Sequence, residues 1–233
     1  MSLFGKIRRN RSAPSDGEET TWRRLQPFSR VFGFDRGQPI DRHYIEAFLR
    51  RHEADVRGRV LEIGEALYTG KFGAGRVSHS DVLHAVAGQA GATLVGDLAT
   101  GVGIPAGAFD CVILTQTLPF IYGVETAMRN ARGALKRDGV LLATFPGISQ
   151  ISRYDMDRWG DYWRFTDASV RRLAAGAFGE RNLEITVHGN VLVACAFLHG
   201  LASQELTAEE LNHADPDYQV LITLRAVNSD ASQ

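Results

Sequence analysis

Cysteine is scarce in this chain of 233 residues, which contains only Cys111 and Cys195. Both lie in apolar stretches, where a free cysteine behaves as a small hydrophobic residue, so neither a disulfide framework nor a zinc cluster is indicated. No apolar stretch is long enough to span a bilayer, and the first residues lack the apolar core of a secretion signal. These absences predict no metal site, no membrane attachment and a reducing, cytoplasmic compartment.

Net charge is almost absent as well, because 26 basic side chains balance 27 acidic ones and the formal charge is −1. This balance predicts no nucleic-acid partner, since nothing global attracts a polyanion. Six basic residues are nevertheless concentrated at the beginning of the chain: Lys6, Arg8, Arg9, Arg11, Arg23 and Arg24. A solvated terminal tail is the main interpretation of this segment, and contact with an acidic partner is the alternative.

Composition divides the chain into an N-terminal segment and one domain. Residues 1–38 are polar, contain Pro and Gly, and carry an aromatic cluster of Trp22, Phe28, Phe32 and Phe34. This pattern predicts a loose tail followed by a docked segment. Residues 39–233 have the size of one ordinary domain, and an apolar content of 44% is enough for a sizeable core.

Short apolar runs alternate with segments of helical spacing in residues 39–233. The runs predict strands at 60–64, 76–80, 93–98, 109–115, 140–145, 183–187 and 218–226. Apolar stripes predict helices at 40–52, 124–139 and 167–177, with Thr166 as the N-cap of the last. Because the early strands are nearly continuous in apolar residues, they suit a parallel sheet covered on both faces, as in an α/β fold.

Acidic and polar residues stand at the ends of the predicted strands, where an open α/β sheet binds its ligands. They are Glu62, Gly64, Asp81, Asp97, Thr115 and Gln116. Asp81 comes just past the second predicted strand, nineteen residues after Glu62, which is close to the spacing expected for a carboxylate that binds ribose hydroxyls. A Glu-Ile-Gly run taken alone is more often a turn than a site, so the order of these residues matters more than any one of them.

Three segments resemble motifs of class I S-adenosylmethionine (SAM)-dependent methyltransferases: RVLEIGEALYTGKFG, VGDLATGVGIPAGAFDCVILTQTL and ALKRDGVLLATFPG. The resemblance implies a Rossmann-like, doubly wound, mostly parallel seven-stranded sheet with helices on both faces and an antiparallel last strand. It also implies SAM as the cofactor and the following contacts: the methionine part at Glu62 and Gly64, the ribose at Asp81, the adenine at Asp97 and Leu98, and the sulfonium at Thr115 and Gln116.

The loop after the first predicted strand departs from the family pattern. Glu65 and Leu67 stand where the family has glycines, and both disfavour a positive φ. Either the loop takes another path, with Tyr68 and Gly70 adjusting it at the cofactor, or SAM binding is weakened. The lack of a Gly-x-Gly-x-x-Gly run makes a nicotinamide oxidoreductase a distant alternative, because a pyrophosphate needs backbone amides at a helix N-terminus.

The segment after the fifth predicted strand is rich in aromatic and charged residues. YDMDRWGDYWRFT and GNVLVACAFLHGLASQEL are similar to methyltransferase-like proteins found near glycosyltransferases in bacterial biosynthetic clusters. This likeness implies a small hydroxylated or sugar-like metabolite as the acceptor and a glycosyltransferase as a partner. Six residues are predicted to serve the acceptor, the first two as bases: Tyr154, Asp155, Arg153, Trp159, Tyr162 and Trp163. The alternative is a lid whose aromatics cover the sheet edge and whose charges pair with one another.

Two functions of different classes remain open. The first is a SAM-dependent methyltransferase, and the second is a non-catalytic module of the same fold that serves as partner of a biosynthetic enzyme. His79 and His188 are interpreted as scaffold residues rather than bases. Arg42 and Tyr44 either close over the cofactor carboxylate or lie in solvent and core, respectively.

Overall fold

The computed structural model describes residues 24–229, so the predicted basic tail, apart from Arg24, lies outside the described residues. One sheet contains the strands β1 (Gly58–Ile63), β2 (Val77–His84), β3 (Leu94–Val95), β4 (Phe109–Thr115), β5 (Leu135–Pro146), β6 (Leu183–His188) and β7 (Leu221–Val227). Their order is β3-β2-β1-β4-β5-β7-β6, and β7 alone runs antiparallel to its neighbours. The predicted mostly parallel, seven-stranded sheet with an antiparallel last strand is confirmed.

Helices cover both faces of this sheet. They are α1 (Ile40–Arg51), α2 (Leu67–Gly73), α3 (Val124–Ala134), α4 (Arg153–Met156), α5 (Asp167–Phe178), α6 (Val191–His199) and α7 (Ala208–Asn212). Short 3₁₀ helices lie at Glu53–Asp55, Ala74–Arg76, Leu118–Phe120, Glu180–Asn182 and Ser203–Glu205. In the part of the chain that is described, no helix is both long enough and apolar enough to cross a membrane.

The strands are apolar on both faces because each face has its own core. Along β4, Val112 and Leu114 pack in the cluster that contains α3 and α5, whereas Cys111 and Ile113 pack in the cluster that contains α1, α2 and α6. Successive side chains of a strand point to opposite faces, so this alternation requires an unbroken apolar run from Cys111 to Leu114. The helical layers therefore leave the carboxyl ends of the strands as the accessible edge.

The boundary between α3 and β5 differs from the prediction. The helix ends at Ala134, and Leu135 already pairs with Phe109 in the sheet. The pairing register then shifts at a bulge in which Asp138 has a φ of 60°. Lys136, predicted to lie in the last helical turn, instead donates a hydrogen bond of 2.7 Å to the carboxylate of Asp110.

The second strand also differs from the prediction, and this matters for the site. β2 extends to His84, so Asp81 lies inside the strand, paired with Leu61, rather than just past its end. β3 is only two residues long, which leaves Asp97 in the turn that follows it. The carboxyl end of β2 is therefore His84.

An irregular segment precedes α1 and packs on distant parts of the chain. The backbone N–H of Phe28 donates to the carbonyl of His199 at 2.7 Å. Arg36 forms an ion pair with Glu205. These contacts fix the segment beside the carboxyl ends of β4 and β5, where it contributes to a cavity described below.

Candidate functional site

A cavity of about 580 Å³ lies at the carboxyl ends of β1, β2, β3 and β4. We call it the strand-end cavity; Gly64, His84, Asp97 and Thr115, which follow or end these four strands, all line it. β1 and β4 are neighbours in the sheet, and the chain continues from β1 to one side and from β4 to the other. This is the reversal of strand order at which open α/β sheets bind their ligands.

A second cavity of about 490 Å³ adjoins the first. We call it the arginine-lined cavity because its walls include Arg30, Arg42, Arg153 and Arg164. Five residues line both cavities: Thr115, Gln116, Phe120, Tyr154 and Asp155. The two spaces therefore meet along a common wall, which begins at the end of β4.

Five of the predicted cofactor residues line the strand-end cavity: Gly64, Asp97, Leu98, Thr115 and Gln116. Gly64 has a φ of 81°, and a Cβ atom at this position would meet nothing within 4 Å, so the residue faces open space. The Asp97 carboxylate accepts a hydrogen bond of 2.7 Å from the N–H of Ala99, which shapes the turn after β3. The expectation that ligands bind at the carboxyl ends of the strands, which we call the strand-end rule, thus places most of the predicted cofactor residues in one cavity.

Glu62 and Tyr68 do not line either cavity, contrary to their predicted place at the cofactor. The Glu62 carboxylate is buried and accepts hydrogen bonds from the backbone N–H groups of Tyr68 (3.0 Å) and Thr69 (2.8 Å) at the start of α2. Burial raises the pKa of Glu62, and these two hydrogen bonds offset only part of that rise. The Tyr68 hydroxyl accepts a hydrogen bond from Arg42. Glu62 therefore anchors α2 and the loop before it.

The loop after β1 leaves the strand-end cavity open. Leu67 is 55% exposed and Glu65 is also exposed, and neither side chain lines the cavity. Because the carboxylate of Glu62 holds the loop through α2, the path does not depend on the glycines that the family has there.

Asp81, predicted to bind the ribose of the cofactor, lies away from its expected place. The residue is 3% exposed, and its carboxylate accepts hydrogen bonds from Arg59 Nε (2.7 Å) and Thr93 Oγ1 (2.9 Å), with His79 Nε2 at 3.6 Å. Burial opposes ionisation, but the hydrogen bonds from Arg59 and Thr93 outweigh it and hold the pKa of Asp81 below its usual value. Because β2 is longer than predicted, this side chain stays inside the sheet and does not line the strand-end cavity.

The charged residues of the loop after β5 pair largely with one another. Arg164 binds Asp161 through two hydrogen bonds of 2.5 and 2.9 Å, and Arg153 lies 3.2 Å from Asp157. These pairs match the alternative in which the loop is a lid with internally balanced charge. Arg153 nevertheless lines the arginine-lined cavity, as its predicted role at the acceptor requires.

The aromatic residues of this loop divide into two groups. Tyr154, Trp159 and Tyr162 line the strand-end cavity, and each is at least 45% exposed. Trp163, also predicted to bind the acceptor, lines neither cavity; it packs against the core and against Tyr122, with ring centroids 5.5 Å apart. Helical and strand periodicity do not apply in this loop, so its inward and outward positions could not be predicted.

The two predicted bases lie on the common wall. Asp155 is half-buried and accepts a hydrogen bond of 2.5 Å from Ser152 Oγ, at the first turn of α4. The ring of Tyr154 lies beneath the guanidinium of Arg158 at 3.5 Å. Both side chains are placed where groups bound in the two cavities would meet.

A carboxylate that sequence reasoning missed faces the same space. Asp41, in the first turn of α1, lines the arginine-lined cavity, and its Oδ2 is 3.5 Å from Nε2 of Gln116. Burial raises the pKa of Asp41 despite the opposing charge of Arg42. Gln116 itself has a φ of 51°, and its buried Oε1 has no hydrogen-bond partner among residues 24–229. The only sequence signal for Asp41 is its position beside Arg42.

The remaining candidates are scaffold residues, with one exception. The ring of His188 stacks on Tyr44 at 5.1 Å, and burial lowers the pKa of His188 to about 4. The Tyr44 hydroxyl donates to the carbonyl of Leu211 at 2.7 Å within the core. Arg42, the exception, lines the arginine-lined cavity instead of pointing into solvent.

No protein-family model matches this chain, and no curated protein matches it significantly. Solved structures do match. The N-methyltransferase NodS from Bradyrhizobium japonicum WM9, in complex with S-adenosyl-L-homocysteine (SAH), is 16% identical, with 84% of this chain and 90% of NodS covered and a TM-score of 0.51. This chain has the Rossmann-like fold of such methyltransferases.

Two further structures have the same fold. A SAM-dependent methyltransferase from Mesorhizobium loti is 16% identical, covering 81% of this chain and 97% of its own, with a TM-score of 0.52. A SAM-dependent methyltransferase from Archaeoglobus fulgidus is 12% identical, covering 79% and 93%, with a TM-score of 0.51. Identities this low show a shared architecture.

Proposed function

We propose that this protein is an enzyme that transfers a methyl group from SAM to a small hydroxylated or sugar-like metabolite. The observation that carries the proposal is the pair of cavities with a common wall. Group transfer between two molecules needs two adjoining spaces, and the volumes of about 580 and 490 Å³ both suit small molecules. The strand-end cavity would hold the cofactor, and the arginine-lined cavity would hold the acceptor.

The residues present fit SAM. Gly64 leaves open space after β1, and Asp97 and Leu98 offer a carboxylate acceptor and an apolar surface after β3. SAM has no pyrophosphate, so the missing glycine-rich loop does not count against it, whereas the same absence disfavours NAD. The NodS structure, which shares the fold, contains SAH, the product of methyl transfer from SAM.

When bound, SAM supplies a methyl group on a positively charged sulfur, which becomes neutral as the methyl group leaves. The protein's own contribution is alignment: Thr115 and Gln116 at the common wall would hold the acceptor atom in line with the methyl carbon and sulfur. If the acceptor is a hydroxyl, its oxygen forms the new bond to carbon and its proton must go to a base. Asp155 and Asp41 are placed for that role. Asp161 also lines the arginine-lined cavity, but both of its carboxylate oxygens are bound by Arg164.

The acceptor site would combine Arg153 and Tyr154 with Arg30 and Arg42 of the N-terminal half. Trp159 and Tyr162 line the strand-end cavity, so they would close over the cofactor rather than over the acceptor. Aromatic faces exclude water and pack on rings, and arginine binds hydroxyl groups and anions. A glycosyltransferase partner and a cytoplasmic location stay predictions.

Isothermal titration with SAM and SAH tests the proposal. We expect the wild-type protein to bind both, and Thr115→Trp to abolish binding by filling the common wall. Val102→Trp is the matched control, because Val102 is exposed and lines neither cavity. Tritium transfer from methyl-labelled SAM to a panel of sugars and phenols then identifies the acceptor. Absence of both heat and thermal shift with the wild-type protein would favour the non-catalytic module.

A further inference from the structure

The carboxyl end of β2 carries a histidine where a ribose-binding carboxylate is expected. Asp81, the only acidic residue of β2, is held inside the strand by Arg59 and Thr93. Within residues 24–229, the only carboxylates that line the strand-end cavity are Asp97 and Asp155, which follow β3 and β5. His84, which ends β2, lines the cavity instead.

The hydrogen bond of His84 determines which ring nitrogen is available. Nε2 lies 2.6 Å from the carbonyl oxygen of Gly64. A carbonyl oxygen can only accept, so Nε2 carries the proton, and in the neutral ring Nδ1 is then an acceptor. No hydrogen bond reaches Nδ1 from any residue between 24 and 229.

The position of His84 selects the part of the ligand that it would meet. Its side chain is tied to Gly64 after β1, and its backbone carbonyl accepts a hydrogen bond of 3.0 Å from Gly96, directly before Asp97. A ligand that extends from Gly64 to Asp97 passes the imidazole at its midpoint. In SAM, the midpoint between the methionine part and the adenine is the ribose.

We propose that His84 is a cofactor-binding residue whose Nδ1 accepts a hydrogen bond from a ribose hydroxyl, in the place of the missing carboxylate. The inference rests on the proposed function, since it needs an adenosyl ligand in the strand-end cavity. A carboxylate offers two acceptors to the hydroxyl pair, whereas Nδ1 offers one, so one ribose hydroxyl should matter more than the other.

Competition binding against SAH tests this, with adenosine, 2′-deoxyadenosine and 3′-deoxyadenosine as probes. We expect the wild-type protein to prefer adenosine over one of the two deoxynucleosides by about 3- to 10-fold, as for a single neutral hydrogen bond. His84→Ala should weaken SAH binding and remove that preference. His79→Ala is the matched control, because His79 lies on the same strand, is exposed and does not line the cavity.

The preference for adenosine over a deoxynucleoside distinguishes a direct contact between His84 and the ribose from a role of His84 in supporting the loop after β1. If His84 only held Gly64 in place, His84→Ala would weaken the binding of all three nucleosides equally and keep the preference for adenosine. That result would overturn the inference. If His84→Ala is not folded, His84→Leu, which fills similar space but offers no acceptor to a hydroxyl, decides when measured in the same way. Failure of the wild-type protein to bind SAH would refute the proposed function itself, whereas normal SAH binding with no hydroxyl preference would refute only the role of His84.

Discussion

Replacing Asp81 by Asn should destabilise the protein without weakening its binding of SAH. The substitution removes the charge that faces Arg59 at 2.7 Å while keeping the shape of the side chain. Breaking a buried ion pair costs about 3–5 kcal/mol, but Arg59 is 35% exposed and water compensates it in part. We therefore expect a loss of about 2 kcal/mol in the free energy of unfolding, or a fall in Tm of about 4–8 °C for a domain of this size.

Thermal unfolding without SAH measures the stability, and the shift in Tm on adding SAH measures the binding. Asp97→Asn, which alters the wall of the strand-end cavity, is the control that should lose affinity for SAH. The pKa of Asp81 is lowered in the folded state, so its contribution is present at neutral pH and lost as the pH falls through that lowered value. The difference in Tm between wild type and Asp81→Asn should therefore keep its full size above about pH 4 and shrink only as the pH falls further, through the lowered pKa of Asp81. An unchanged Tm together with a large loss of SAH affinity would show that Asp81 binds the ligand after all.

Three further predictions concern the site. Glu62→Ala leaves two backbone amides of α2 without a partner, so the free energy of unfolding should fall by about 2 kcal/mol, Tm should fall with it, and SAH should bind more weakly. An unchanged Tm would contradict the anchoring role of Glu62. Once the acceptor is known, Asp41→Asn should lower kcat by about 10²-fold or more if Asp41 is the base. The midpoint of the acidic limb in the wild-type pH–rate profile should then lie above the usual pKa of an aspartate, because burial raises the pKa of Asp41. A loss of kcat in Asp155→Asn alone would assign the base to Asp155. Trp159→Ala should weaken SAH binding by about 2- to 10-fold in isothermal titration, and equal affinity would place the ring outside the cofactor's reach.

The alternation of apolar runs and helical stripes predicts the architecture because each layer must bury its own face. β4 matches its predicted bounds, and the continuous apolar runs reflect cores on both sides of the sheet. Strand ends are different, because a polar residue can continue a strand if it finds a partner. Asp81 does so through Arg59, and Lys136 through Asp110, and neither partner can be identified from local pattern.

The candidate site is predictable only where it follows the strand-end rule. Gly64, Asp97 and Thr115 lie where their strands predict, since parallel strands finish at a common edge. Asp41 and Arg30 reach the same region from α1 and the irregular segment before it, and that approach depends on tertiary packing. Residues brought together from separated parts of the chain leave no spacing by which the sequence could reveal them.

A wall of the arginine-lined cavity belongs to no strand or helix; it is formed by Arg30, Val31, Phe32 and Phe34. Their fixation through His199 and the pair of Arg36 with Glu205 is independent of the sheet that would carry the cofactor. Another segment held by the same contacts would therefore change the arginine-lined cavity, and with it the choice of acceptor, while the strand-end cavity stayed the same. Irregular segments tolerate such exchange better than the regular elements they adjoin.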